Sequence, residues 1–85
     1  MVPIRVYTTR TCYYCHAARR LLARLDLPFE EIDVSGDAEA RHWLVEATGQ
    51  RTVPQIFFGD RSIGGYTDLA RLERAGELPA LLTPG

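Results

Sequence analysis

The sequence predicts an α/β domain in the order β-α-β-α-β-β-α, with four strands in a mixed sheet and helices on both faces. Three observations point to it. Short β-rich runs alternate with helical periodicity through the first half, the pattern of β-α-β units. A glycine-turned hairpin follows, which adds antiparallel strands. A content of 46% hydrophobic and 25% charged residues over 85 positions has the balance of a globular chain, with room for one domain, residues 1–85.

The elements follow in order along the chain. Ile4 to Tyr7 is β-rich and bounded by Pro3 and Thr8-Thr9, so it is expected as the first strand. From Tyr13 the period becomes helical, with Ala18, Leu21, Leu22 and Leu25 on one face and Arg19, Arg20 and Arg24 on another, and Pro28 is expected to stop the helix. Phe29 to Asp33 is the expected second strand. Ser35-Gly36-Asp37 then turns the chain and caps a helix over Ala38 to Thr48, whose Ala40, Trp43, Leu44 and Ala47 form an apolar stripe for packing and whose Gly49 stands at the C′ position. Gln55 to Phe58 and Arg61 to Ile63 are expected strands joined by Gly59-Asp60. Gly64-Gly65 breaks the strand pattern, and a third helix is expected from about Thr67 to Ala75, with Leu69 and Leu72 inward and Gly76 as its stop. The tail from Glu77 has room for one helical turn before Pro84.

Apolar runs such as Ile56-Phe57-Phe58 reach three residues, against about 20 for a membrane helix, so no membrane partner is expected. Nothing near Met1 resembles a secretory signal, which makes the cytoplasm the expected location. Thiols stay reduced there, so the pair Cys12 and Cys15 is read as redox-active or metal-binding rather than as a structural staple. The formal net charge of −1 conceals an asymmetry: residues 1 to 25 carry five Arg and no acid, while residues 26 to 46 hold seven acids against Arg41. Basic density around the cysteines favours a thiolate and an anionic ligand. Five Arg alone make a thin case for nucleic acid, which is not expected as a partner.

Cys12-Tyr13-Tyr14-Cys15 follows a strand and opens a helix. Free N–H groups and the positive end of the helix dipole favour an anion there, so a thiol at that position ionises below the free value of about 8.5. Cys12 is the expected nucleophile. Cys15, one turn further on the same face, is placed to attack a mixed disulfide on Cys12. Structural zinc needs four ligands, and His16 and His42 lack the usual paired spacing. The string from Cys12 to His16 also matches the haem-attachment pattern C-x-x-C-H, but Met1 is the sole Met for a distal ligand. Two inert buried cysteines fit poorly beside Thr11 at a helix start, so the redox reading is favoured over haem, zinc and the inert pair. His16 is read as an exposed residue of the first turn, and Tyr7 and Phe57 as core.

Two further constellations stand out. Thr52-Val53-Pro54 precedes a strand, and a cis bond there would leave the Val53 backbone free for an extended peptide. Gly64-Gly65-Tyr66-Thr67-Asp68 is a glycine turn into a helix N-terminus, suited to an anionic group, with Asp68 able to pair with an ammonium; its plainer reading is a strand end plus a cap.

Together, Tyr7-Thr8, Thr11-Cys12-x-Tyr14-Cys15, Thr52-Val53-Pro54-Gln55-Ile56-Phe57 and Ile63-Gly64-Gly65-Tyr66-Thr67-Asp68-Leu69 resemble the short bacterial dithiol glutaredoxins over nearly the whole chain. The resemblance implies a thioredoxin-like fold and a glutathione-dependent thiol-disulfide oxidoreductase. Glutathione would be the co-substrate, and glutathionylated or disulfide-containing proteins the partners of a monomer. It implies Cys12 and Cys15 as catalytic residues and Val53 as the backbone partner of glutathione before a cis Pro54. Thr67 and Asp68 would hold the γ-glutamyl end, Arg41 would meet the glycine carboxylate, and Arg10, Tyr14, Thr52 and Gly65 would complete the pocket. The family commonly has Pro where Tyr13 stands and Lys where Thr9 stands, with Arg10 next to it. Family members that lack this Pro point to an alternative, a homodimer bridging a two-iron two-sulfur cluster through Cys12 and glutathione. No other metal site is expected.

Overall fold

In the computed structural model, which describes residues 1–84, the elements are β1 (Ile4–Thr8), α1 (Tyr13–Arg24), β2 (Glu30–Asp33), α2 (Ala38–Thr48), β3 (Gln55–Phe58), β4 (Arg61–Gly64), α3 (Tyr66–Arg74) and α4 (Leu78–Leu82). The strands form one mixed sheet in the order β2-β1-β3-β4. β1 pairs with β2 in parallel, while β3 is antiparallel to both β1 and β4.

Because side chains alternate across a strand, each central strand feeds two cores. Ile4, Val6, Ile56 and Phe58 face Ala18, Leu21 and Leu22 of α1, Leu69 of α3 and Leu78 and Leu82 of α4. Tyr7 and Phe57 face the other way, with Val34 and Leu44 of α2. Helices therefore cover both faces, and all four residues of β3 are buried.

The structure corrects the expectations at several points. α1 ends at Arg24, before Pro28, because a Schellman motif closes it: the Asp26 N–H donates to the Ala23 carbonyl at 3.0 Å and the Leu27 N–H to the Leu22 carbonyl at 3.0 Å. Asp26 takes the left-handed conformation there, with φ 57°. The single turn for which the tail has room does form, as α4, where Leu78 and Leu82 bury one face and the Val2 N–H donates to the Leu82 carbonyl at 2.9 Å. In α2 the buried stripe narrows to Leu44, with Ala40 half-buried and Ala47 exposed. Trp43 remains 45% exposed and lays its ring against Tyr7 and Phe57, with centroids 5.6 and 5.8 Å away.

The remaining boundaries agree to within a residue or so. Asp37 caps α2 by accepting from the Ala40 N–H at 3.0 Å, and Gly49 closes it at φ 72°. Gly76, at φ 72°, follows α3 as its stop, and Gly59 turns the β3–β4 hairpin.

Candidate active site

The site begins where β1 ends. The loop after Thr8 is tied to the next crossover by the Arg10 N–H, which donates to Ser35 Oγ at 2.8 Å, while Ser35's own N–H donates to Asp33 at 2.8 Å. Cys12 then serves as the N-cap of α1. It has an extended backbone (φ −144°, ψ 110°), and its Sγ accepts from the Cys15 N–H at 3.1 Å. An N-cap is where helix N–H groups lack internal partners, so a negative sulfur at this position would be stabilised by the donor already aimed at it. Cys12 and Cys15 form a disulfide, with Cα atoms 5.2 Å apart. Cys15 is fully buried and Cys12 half-buried, so the two sulfurs differ in access to a substrate. His16 is exposed.

Opposite the disulfide lies the segment between α2 and β3. The Val53-Pro54 peptide bond is cis, and the Val53 carbonyl oxygen is 3.6 Å from Cys12 Sγ, within reach of a reduced thiol's S–H. Ladder pairing starts only at Gln55, and among the described residues the Val53 N–H has no hydrogen-bond partner. The third wall is the turn into α3. Gly64 has φ 109°, Gly65 is the N-cap, and its N–H donates to Asp68 Oδ2 at 3.0 Å. Asp68 Oδ1 accepts from Arg71 at 3.2 Å, so this carboxylate is both a helix cap and a half-buried negative end of the site.

These walls enclose two adjoining depressions. One of about 260 Å³ is lined by Tyr14, Thr52, Val53, Pro54, Gly65, Thr67 and Asp68, together with Gln50 and Tyr66. The other, of about 620 Å³, runs along α2 past Arg41 and Arg51 and shares Gln50, Thr52 and Val53 with the first. All the expected glutathione residues but Arg10 thus line one groove. Arg10 lines neither depression, and its charge lies close to Asp33. Sequence reasoning missed Arg51, which adds a second cation beside Arg41, and Gln50. It also missed Tyr66, whose ring stacks on Tyr14 with centroids 6.2 Å apart. Tyr66 stands inside the Gly64–Asp68 turn, so the sequence carries a signal for it. Gln50 carried no signal beyond following the stop of α2.

The Asp33 carboxyl is held below the usual aspartate range, first by the Ser35 N–H, then by the Ser35 hydroxyl and the Arg10 charge. A carboxyl lowered on folding contributes stability above its ordinary value near pH 4, and that contribution is lost as pH falls through the folded value. Asp33→Asn is therefore expected to flatten the decline in melting temperature below about pH 4. Melts of both proteins from neutral pH down to about pH 2.5 check it, and parallel curves would remove Asp33 from the acid limb.

The glutaredoxin family model matches residues 4–63. A glutaredoxin of Pseudomonas aeruginosa is 47% identical over 83 residues, covering 98% of this chain and 99% of its own length. The chain belongs to the glutaredoxin family. Its members are thiol oxidoreductases. Glutaredoxin 3 of Escherichia coli is 40% identical, over 96% of this chain and 99% of that protein. Among solved structures, the solution structure of Brucella melitensis glutaredoxin matches with a TM-score of 0.86 and 45% identity, over 96% of this chain and 89% of the other. A buckwheat glutaredoxin crystallised as its glutathione complex matches with a TM-score of 0.86 and 30% identity, over 95% and 76%. The thioredoxin-like fold implied by the sequence is the fold observed.

As a holder of metal, the site offers little from its own chain. Among the described residues no three His, Cys, Asp or Glu side chains gather. A cluster at Cys12 would need its remaining ligands from glutathione and a second copy.

Proposed function

We propose that the chain is a glutathione-dependent thiol-disulfide oxidoreductase that reduces glutathione mixed disulfides and protein disulfides. The observation that carries this reading is the polarity of the groove beside Cys12, with Arg41 and Arg51 outnumbering Glu46 toward one end and the Asp68 carboxylate at the other. A tripeptide with carboxylates and an ammonium at its extremities fits that polarity. The Val53 backbone, free of internal partners, lies between the two ends. Solution of a buckwheat relative with glutathione bound adds support.

In this mechanism the Cys12 thiolate attacks the glutathione sulfur of a mixed disulfide. The S–S bond breaks, the target leaves as a thiolate that takes up a proton, and glutathione remains on Cys12. A second glutathione thiolate attacks that sulfur, releasing glutathione disulfide and restoring the Cys12 thiolate. For a protein disulfide, the Cys12 thiolate attacks one target sulfur, the target S–S bond breaks, and the other target sulfur leaves as a thiolate that takes up a proton. Cys15 then attacks Cys12, the second target thiolate leaves, and the Cys12–Cys15 disulfide remains for two glutathiones to reduce. The cycle suits a monomer in a thiol-reducing compartment such as the cytoplasm.

Asp68→Asn keeps an acceptor for the Gly65 N–H but removes the charge, while Arg41→Ala removes a cation at the far end. Each is expected to raise the KM for a glutathionylated peptide about fivefold, the equivalent of ~1 kcal/mol for a partly solvated charge-assisted contact. A coupled assay with glutathione and that peptide measures it. Unchanged KM in both variants would dismiss the groove as the glutathione site.

A further inference from the structure

Gln55 opens β3 and is fully buried on the α2 side of the sheet, where its cross-strand partner Tyr7 and the nearby Phe57 and Leu44 are core residues. It lines neither depression. Its Nε2 donates to the Thr52 carbonyl at 2.8 Å and to Gln50 Oε1 at 3.0 Å, with Thr52 Oγ1 at 3.4 Å. Its Oε1 is buried with no partner among the described residues. Turning the amide over would aim that oxygen at the Thr52 carbonyl oxygen, which can only accept, so the neighbours fix the orientation.

A buried amide with one orphaned oxygen makes a weaker core than an apolar side chain of similar volume. What this amide supplies is donors, and both go to the strip that the two depressions share. That strip is also the one whose Val53 carbonyl lies beside Cys12. We infer that Gln55 is a positioning residue: from behind the groove it holds the strip from Gln50 to Val53 in the shape that receives glutathione, without touching the ligand. The inference rests on the glutathione reading above. It also explains why a polar side chain occupies a position that packing alone would fill with Leu or Met.

The test uses Gln55→Leu, with Gln55→Met as a second variant of similar volume. Melting temperature confirms folding, and alkylation of reduced Cys12 by iodoacetamide reads the nucleophile independently of glutathione. Backbone 15N relaxation reads the order of the strip itself. The expected result is a folded variant with an unaltered alkylation rate, lower backbone order at residues 50–53, and a KM for glutathionylated peptide raised roughly tenfold at nearly constant kcat. A purely structural role would lower the melting temperature and leave KM alone. Unchanged KM in a folded variant, a fall in the alkylation rate that accounts for the whole effect, or failure of both variants to fold would overturn the inference. Wild-type activity that does not saturate in the glutathionylated peptide would instead overturn the glutathione reading itself, and this use of Gln55 with it.

Discussion

Cys12→Ser is expected to leave the fold intact and remove reductase activity toward every substrate, a loss on the order of a thousandfold or more. A serine hydroxyl at the N-cap still accepts from the residue 15 N–H, so the helix start survives. Its pKa keeps it protonated, and it cannot form the disulfide intermediate. Cys15→Ser is expected to behave differently. Cys15 is fully buried behind Cys12, and its route to a substrate sulfur runs through a mixed disulfide on Cys12. Reduction of glutathione mixed disulfides should therefore persist in Cys15→Ser. Reduction of protein disulfides should slow as the intermediate waits for glutathione from solution. Assaying both variants against a glutathionylated peptide and a disulfide-bonded protein separates the roles. Activity retained in Cys12→Ser and lost in Cys15→Ser would reverse them.

Gly64→Ala is expected to damage stability and site together. Gly64 sits at φ 109°, and a Cβ built on it would run into the Asp68 carboxylate. The unfavourable backbone costs about 1–3 kcal/mol for a residue with a side chain. Displacing Asp68 releases the Gly65 N–H and removes a cap worth ~1 kcal/mol. For a domain of this size the sum lowers the melting temperature by on the order of 10–30 °C. KM should rise too, because Asp68 leaves the end of the groove. Gly36→Ala is the matched control: φ is 71° there, but nothing lies within 4 Å of the added Cβ. A Gly64→Ala protein that melts within a few degrees of Gly36→Ala would show that Asp68 yields without cost.

The parts legible in the sequence were those set by local chemistry. The place of the cysteines at a helix start is legible because strand, loop and helical period follow one another within residues 4–25. The Asp37 cap and the Gly49 and Gly76 stops were readable because each needs a particular side chain, or none, at one position. In α2 the difference arises because burial is decided by the whole fold. Trp43 and Ala47 lie on the apolar stripe of α2, yet α2 covers its face of the sheet through Leu44, leaving the stripe's margins open. Pro28 is a natural helix breaker, but the Schellman motif around Asp26 acts first. α4 is the single turn for which the tail has room, and it is too short for periodicity to fix its bounds. Gln55 reads from sequence as an ordinary polar strand residue. Its role depends on β3 being central, and that follows from the pairing of β1 with β3, more than forty residues apart.

β2 lies at one margin of the sheet, bonded to β1 on one side and open on the other. An open strand margin offers unpaired N–H and C=O groups to any similar margin that drifts near, the usual beginning of sheet-to-sheet aggregation. Three of the four residues of β2, Glu30, Glu31 and Asp33, are carboxylates, and all three are exposed. Two molecules approaching along this margin bring like charges face to face at strand spacing before any backbone bond can form. The repulsion rests mainly on Glu30 and Asp33, since Glu31 is engaged by Arg19 at 2.6 Å, and it opposes edge-to-edge pairing where the backbone alone would invite it.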